Sequence, residues 1–252
     1  MTRVLKIGGA ALTDEKWLHA FAAQAARMSE PCVIVHGGGP EITSVSEQLG
    51  VTAEWHNGKR VTPPAALDAA AMVLTGRVNK RIVAALLDSG VDAMGLCGVD
   101  GGLIRAEIAH DGALGRVGRV TEVRRELIEW LIERGMTPVL SPISLAADGG
   151  SLNVNADEVA AAVASALGAA ELIFLTDVDG VRVADVTRAS LSVDESAALI
   201  ATGGAWGGMA VKLNAAAEAV EAGIGRVRIG GLDTLTEDTA GTTVHAMVEV
   251  AA

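Results

Sequence analysis

The stretch RVLKIGGAALTDEKWLHAFAAQAARMSEPCVIVHGGGPEITSVSEQL, residues 3–49, decides the fold class. It holds two short apolar runs, 3–7 and 32–36, each closing on glycines and each followed by a stretch with helical spacing, 15–28 and 41–49. Runs that are apolar at nearly every position, rather than at every second one, belong to strands of a parallel sheet covered on both faces. Working outward, the chain reads as a hairpin over 52–61 around an AsnGly turn, then a long helix over 64–87 ended by Gly90. An irregular or hairpin patch lies between Gly101 and Val120. A helix over 124–134, a strand over 137–140, an AlaAspGlyGly turn, a helix over 156–167 and an apolar strand over 172–175 follow, and the alternation continues. No repeat, low-complexity tract or proline-rich linker interrupts it. The expectation is an α/β sandwich, one domain with two lobes dividing near Ala166.

The 252 residues suffice for one or two compact units, and with 50% apolar and 20% charged residues the whole chain should fold. Twenty Lys and Arg against 31 Asp and Glu give a net charge of −11. So acidic a surface repels phosphate backbones and anionic lipid heads, which argues against nucleic-acid and membrane-surface partners. No run approaches the roughly 18 apolar residues of a membrane helix, and a cytoplasmic location is expected. Two cysteines, Cys32 and Cys97, form no CxxC pair, so disulfide scaffolds and zinc sites fall away. Aromatics are only 2%, too few for single-strand stacking platforms.

Glycine clusters stand at strand ends: Gly8 and Gly9, Gly37 to Gly39, Gly101 and Gly102, and Gly203 to Gly208 before a helix. In open α/β sheets, ligands gather beyond the carboxyl ends of strands, where turn N–H groups and helix N-termini face phosphate or carboxylate oxygens. Glycines also simply make turns, and no single cluster decides function. Neither GxGxxG nor GxxxxGK[ST] is present, so any nucleotide is held differently from a dinucleotide fold or a P-loop. Lys6 interrupts an apolar strand, where a charge is costly unless paired or near the surface. Lys212 lies in a helix of otherwise apolar or small residues. Asp157 sits just inside a helix start, where the dipole favours a carboxylate, with Asn155 as a possible cap. Snorkelling lysines and helix capping are the plain readings of these three.

VLKIGGAAL (4–12), VIVHGGGPEI (33–42), NGKRVTP (57–63), VNKRIV (78–83), LNVNADEVA (152–160), LIFLTDVDGV (172–181), GGMAVKLNAA (207–216) and GTTV (241–244) occur in this order. Together they resemble the amino acid kinase family over residues 4–244. The resemblance implies a three-layer αβα sandwich with a mainly parallel central sheet. It also implies transfer of the γ-phosphoryl of ATP to the side-chain carboxylate of N-acetyl-L-glutamate in arginine biosynthesis, with Mg2+ accompanying ATP and no metal residue named. Residues 1–165 would bind the acidic substrate and 166–252 the nucleotide. Lys6 and Lys212 would stabilise the transition state, one from each lobe, with Asp157 orienting both ammonium groups. Backbone N–H groups around Gly9 and Gly38 would face the moving phosphoryl, and Gly38 and Gly39 would border the substrate. Arg60 would pair with the α-carboxylate and Asn153 would contact the same substrate. Thr176, Asp177, Val178, Asp179, Gly180 and Val181 match the nucleotide-carrying strand end and loop, and Gly204, Ala205 and Trp206 a second adenosine turn. Asp179 stands where the family often has proline or serine, and Trp206 where it varies. His36 reads as a satisfied core histidine and Cys97 as a small apolar filler.

Two competing readings remain: a sibling kinase acting on aminoadipate or glutamate linked to an acidic carrier protein, and a non-catalytic amino-acid or nucleotide sensor. The NGKRVTP loop and the net charge of −11 oppose the first, and the joint presence of Lys6, Asp157, Lys212 and Arg60 opposes the second. Hexameric, arginine-inhibited members of the family carry a helix ahead of the first strand. With that strand beginning near Arg3, a homodimer insensitive to arginine is expected.

Overall fold

The computed structural model describes residues 1–56, 59–184 and 186–246. The strands are β1 (Arg3–Ile7), β2 (Cys32–His36), β3 (Trp55–His56), β4 (Lys59–Arg60), β5 (Ala93–Cys97), β6 (Ile104–Ile108), β7 (Val117–Val123), β8 (Thr137–Ser141), β9 (Ile143–Ala146), β10 (Ser151–Val154), β11 (Glu171–Leu175), β12 (Arg182–Val183), β13 (Val186–Thr187), β14 (Ser190–Ser192), β15 (Val227–Gly230) and β16 (Thr242–His245). The helices are α1 (Glu15–Ala25), α2 (Gly39–Gln48), α3 (Pro64–Ala71), α4 (Asn79–Asp88), α5 (Arg125–Ile132), α6 (Ala156–Leu167), α7 (Val193–Ala201) and α8 (Gly207–Glu221).

Eight strands form the central sheet in the order β14-β16-β15-β11-β1-β2-β8-β5. The six from β15 to β5 run parallel, while β16 is antiparallel to β15 and parallel to β14. Strand alternation sends Val4 and Lys6 to one face, toward α6 and α8, and Leu5 and Ile7 to the other, toward α1 and α4. Each face buries its own apolar cluster, which gives three layers. Local chemistry sets the helix ends: Asp14 caps α1, Asn155 caps α6, Gly168 in a left-handed conformation closes α6, and Ser192 with Glu195 makes a capping box on α7. Among the described residues no helix is long and apolar enough to cross a membrane.

Three features depart from the sequence expectation. The region read as an irregular or hairpin patch does contain an antiparallel pair, β6 with β7, which closes with β9 and β10 into a four-stranded barrel, β10-β7-β6-β9, seated beside the main sheet. Two of its pairs are local antiparallel ones, β6 with β7 and β9 with β10, but closure needs β7 beside β10 and β6 beside β9, pairings across long separations that leave no local signature. The helix expected over 64–87 is continuous but carries a π-helical segment, Met72–Val78, between α3 and α4. The helix expected over 41–49 begins earlier, at Gly39, because Pro40 suits a first helical turn. The hairpin over 52–61 is present as β3 and β4, while its AsnGly turn lies outside the described residues.

Candidate active site

The first two parallel strands end side by side, and their glycines meet. A Cβ on Gly9 would lie 2.8 Å from Gly39 N and 2.9 Å from Gly38 N, so the two turns touch backbone to backbone. Helix α2 starts from this contact, with Gly38 as N-cap, and presents its free N–H groups there. From the opposite side Leu74 and Val78 press on Gly38, at 2.8 and 3.3 Å from the place of a Cβ. His36 anchors the turn from below. Its Nδ1 donates to Gly37 O at 3.0 Å and its Nε2 accepts from Asn79 Nδ2 at 3.1 Å, and burial pushes its pKa down to about 4. It is a satisfied core histidine.

A cavity of about 570 Å³ opens over these turns. On one side Lys6 Nζ lies 2.6 Å from Asp157 Oδ1, both side chains buried. That oxygen accepts no well-aligned hydrogen bond, so the pair is held by charge. Asn155 accepts from Asp157 N at 2.9 Å, fixing the helix end that carries the carboxylate. Lys212, half-buried on α8, has its pKa lowered first by burial and then by the Lys6 charge, against the pull of Asp157 and Asp177. The two lysines therefore share one electrostatic neighbourhood around Asp157.

Arg60 also lines the cavity, with only 8% of its surface exposed. Its Nη2 donates to Thr43 Oγ1 at 2.6 Å and to Gly39 O at 3.3 Å, and its guanidinium lies 4.5 Å over the Trp55 ring. Burial lowers its pKa. Among the described residues no carboxylate forms an ion pair with it. Asn153, on β10, lines the same cavity and donates from Nδ2 to Thr62 Oγ1 at 3.3 Å.

The strand β11 delivers Thr176 and Asp177 beyond the sheet edge, where Thr176 Oγ1 donates to Asp177 Oδ1 at 2.9 Å. Asp177, Val178 and Asp179 line one groove with Arg182 and Thr187, and Asp179 lines a second with Thr187, Ala189 and the 231–241 loop. Gly180 packs where a Cβ would lie 2.8 Å from Thr242 Oγ1, and buried Val181 donates its N–H to that oxygen at 2.8 Å. Gly204, Ala205 and Trp206 lie outside the linings of the cavity and both grooves. Ala205 is buried in the core, and Trp206 is 80% exposed at the start of α8.

The amino acid kinase family model matches residues 1–231. The chain belongs to the amino acid kinase family. It is 46% identical over 245 residues, 96% of this chain and 93% of the relative, to a protein named acetylglutamate kinase from Roseiflexus sp. strain RS-1. A solved structure, smu.665 from Streptococcus mutans UA159, superposes with a TM-score of 0.83 at 31% identity, covering 98% of this chain and 99% of that one. Carbamate kinase from Giardia lamblia bound to AMP-PNP shares the fold at a TM-score of 0.75 and 17% identity, covering 98% of each chain.

Within this amino acid kinase, sequence reasoning missed Trp55, which faces Arg60 across the short hairpin, Thr43, which meets Arg60 from α2, and the 108–111 segment, which lines the cavity from the barrel. His110 and Asp111, which line the cavity, have positive φ of 54° and 48°. Glu158 was also missed, although it follows Asp157. Its Oε1 accepts from Val120 N at 2.8 Å and ties α6 to the barrel. Among the described residues no three His, Cys, Asp or Glu side chains gather as a metal site. The glycine contact, the α2 N-terminus and the two lysines fit a triphosphate, and any metal ion accompanying it would have to find its ligands mainly outside the protein side chains.

Proposed function

We propose that the chain transfers the γ-phosphoryl group of ATP to the side-chain carboxylate of N-acetyl-L-glutamate, giving N-acetyl-L-glutamyl 5-phosphate and ADP for arginine biosynthesis. One observation carries the reading. A single cavity holds a buried Lys6–Asp157 pair on one side and, on the other, a buried arginine with no acidic partner among the described residues, with a glycine contact between them. Such a space suits a molecule with two carboxylates, one to be held and one to react. The name of the Roseiflexus relative supports the same substrate.

In this reading Arg60 binds the α-carboxylate with its remaining donors, a task for which a planar guanidinium is suited. Asn153 meets the same molecule. The side-chain carboxylate is already an anion, so no general base is needed. One of its oxygens bonds to the γ-phosphorus while the bond to the β-bridging oxygen breaks, and ADP leaves with that electron pair. Lys6 and Lys212 neutralise the charge spread over the migrating oxygens, and Asp157 keeps both ammonium groups aimed. N–H groups around Gly9 and Gly38 add fixed donors, and Gly38 and Gly39 border the acceptor. Thr176 to Val181 and the grooves beside them hold the nucleotide, so residues 1–165 serve the acidic substrate and 166–252 ATP. Mg2+, when bound with the triphosphate, supplies further neutralisation.

Both cysteines are free, which suits a cytoplasmic setting. The chain works as a homodimer in this proposal. Strand β5 ends the central sheet with an open edge, flanked by exposed Met94 and Leu87, and such an edge invites a second copy. Light scattering tests this, with twice the chain mass expected. The catalytic reading is tested by ATP turnover with N-acetylglutamate in the presence of hydroxylamine, which traps an acyl phosphate as a hydroxamate. No hydroxamate above the control without N-acetylglutamate would sink it.

A further inference from the structure

We infer that Thr62 is a positioning residue for the acidic substrate, its buried hydroxyl locking Arg60 and Asn153 to one another and to the rim of the small barrel. The inference rests on the reading of Arg60 and Asn153 given above.

Thr62 follows β4 by one residue and has no exposed surface. Both of its backbone groups are committed to the barrel connection: its N–H donates to Leu114 O at 2.8 Å, and its carbonyl accepts from Arg116 N at 2.7 Å. The approach is close enough to require glycine opposite. Gly115 has φ +70°, and a Cβ there would lie 2.6 Å from Thr62 O. Arg116 O in turn accepts from Asn153 N at 2.9 Å, so the strand carrying Asn153 is laid beside the same segment. The hairpin bearing Arg60 is thereby fastened to the barrel at Thr62.

The hydroxyl completes the link. It donates to Arg60 O at 3.0 Å and lies 3.3 Å from Asn153 Nδ2. A hydroxyl has one proton, and here the carbonyl of Arg60 takes it, so toward Asn153 it acts as acceptor. That fixes the Asn153 amide with nitrogen toward Thr62 and oxygen away. It also fixes the main chain from which the Arg60 side chain reaches Thr43 and Trp55. One side chain thus sets the orientation of two groups that face the cavity, while touching neither the phosphoryl side nor the nucleotide grooves.

Thr62→Val keeps the shape and removes both hydrogen bonds. The expected result is a KM for N-acetylglutamate raised about tenfold, as for two lost bonds of modest net strength. The KM for ATP and kcat should stay within about twofold, and Thr62→Ser should restore the KM. Should Thr62→Val fail to fold, Thr62→Ala lacks the same hydroxyl without a second methyl and carries the same test. If Arg60→Ala raises the KM for N-acetylglutamate while the Thr62 variants leave it unchanged, the positioning role is wrong and the substrate reading stands. Equal rises in both KM values without rescue by serine would mark a merely structural residue and overturn the inference. An unchanged KM in Arg60→Ala as well as in the Thr62 variants overturns the substrate reading together with it.

Discussion

Lys212 keeps its charge against two opposing influences, burial and the neighbouring Lys6, and both lower its pKa from the ordinary lysine value of 10.5. If the ammonium works on charge that shifts in the transition state, the neutral amine cannot replace it. Activity should therefore fall on the alkaline side, with a midpoint of kcat below the usual lysine range. Lys212→Arg, which stays charged at every accessible pH, should move that limb upward even where its rate is lower. A pH profile of kcat unaltered by the arginine substitution would remove Lys212 from the titration. Lys6→Ala and Lys212→Ala should each lower kcat on the order of a hundredfold, equivalent to ~3 kcal/mol, with smaller changes in KM. Steady-state kinetics with near-normal kcat for either would exclude that lysine. Arg60→Lys should instead mainly raise the KM for the acidic substrate, since the planar fork is lost and the reacting end is untouched. Lys6 and Lys212 were legible in the sequence because each sets a charge inside an apolar strand or helix, whereas Arg60 was reached only through the family resemblance of its NGKRVTP loop. Trp55 and Thr62 break no local rule. Trp55 meets Arg60 directly across a short hairpin yet carries no charge or motif to mark it, and Thr62 acts through Leu114, Arg116 and Asn153, tens of residues away, a pairing of which a single sequence holds no trace.

The glycine contact is the element on which the cavity turns. Gly9→Ala would press a methyl against backbone of Gly38 and Gly39 at under 3 Å, and backbone cannot rotate aside as a side chain can. The turns must part by a few tenths of an ångström, so kcat/KM should fall at least tenfold, with about 1–3 kcal/mol of lost stability. A variant with normal kcat/KM would show that the contact does not position the donors. His36 beneath it gives the same element a pH signature. Its pKa moves from 6.5 in the unfolded chain to about 4 in the folded one, so between those values only the unfolded chain takes up the proton. Stability is then lost as pH falls through that window, by about 3 kcal/mol in all. Urea midpoints at pH 7, 5 and 4 should drop more steeply in the parent than in His36→Asn, which has no proton to gain, and parallel curves would contradict the assignment. The βα steps that build this element were readable because strand, glycine and helix follow one another. The barrel's closure was not, since it joins β10 to β7 and β6 to β9 across α5 and β8. The π segment was also hidden, because a helix with one wider turn keeps nearly the same apolar spacing.

At the scale of the whole molecule, two structural bodies fix the two ends of the acceptor in the proposed reading. The barrel and the hairpin fastened to it carry Asn153 and Arg60, while the central sheet and α6 carry Lys6 and Asp157. The span between them acts as a ruler for the distance between two carboxylates, because packed sheets and barrels do not yield by a methylene. N-acetylaminoadipate, one methylene longer, should bind by its α-carboxylate yet place its distal carboxylate out of line, and misplacement alone costs about a hundredfold. Free glutamate has the right length, and Arg60 pairs with its α-carboxylate equally well, so discrimination must come from the amino end. An ammonium there would join Lys6 and Arg60 in a partly closed cavity, with the Lys212 charge close to Lys6. A fourth cation is disfavoured by more than the ~1 kcal/mol of a solvent-screened contact, whereas a neutral acetamide is satisfied by Asn153 and turn N–H groups. The values of kcat/KM should therefore rank N-acetylglutamate first, with N-acetylaminoadipate and glutamate each at least about tenfold lower. A carrier-linked aminoadipate turned over faster than N-acetylglutamate would overturn the substrate while leaving the fold and the acyl phosphate chemistry in place. Equal rates for the two N-acetylated acids would instead show that the barrel and the sheet move relative to one another during turnover.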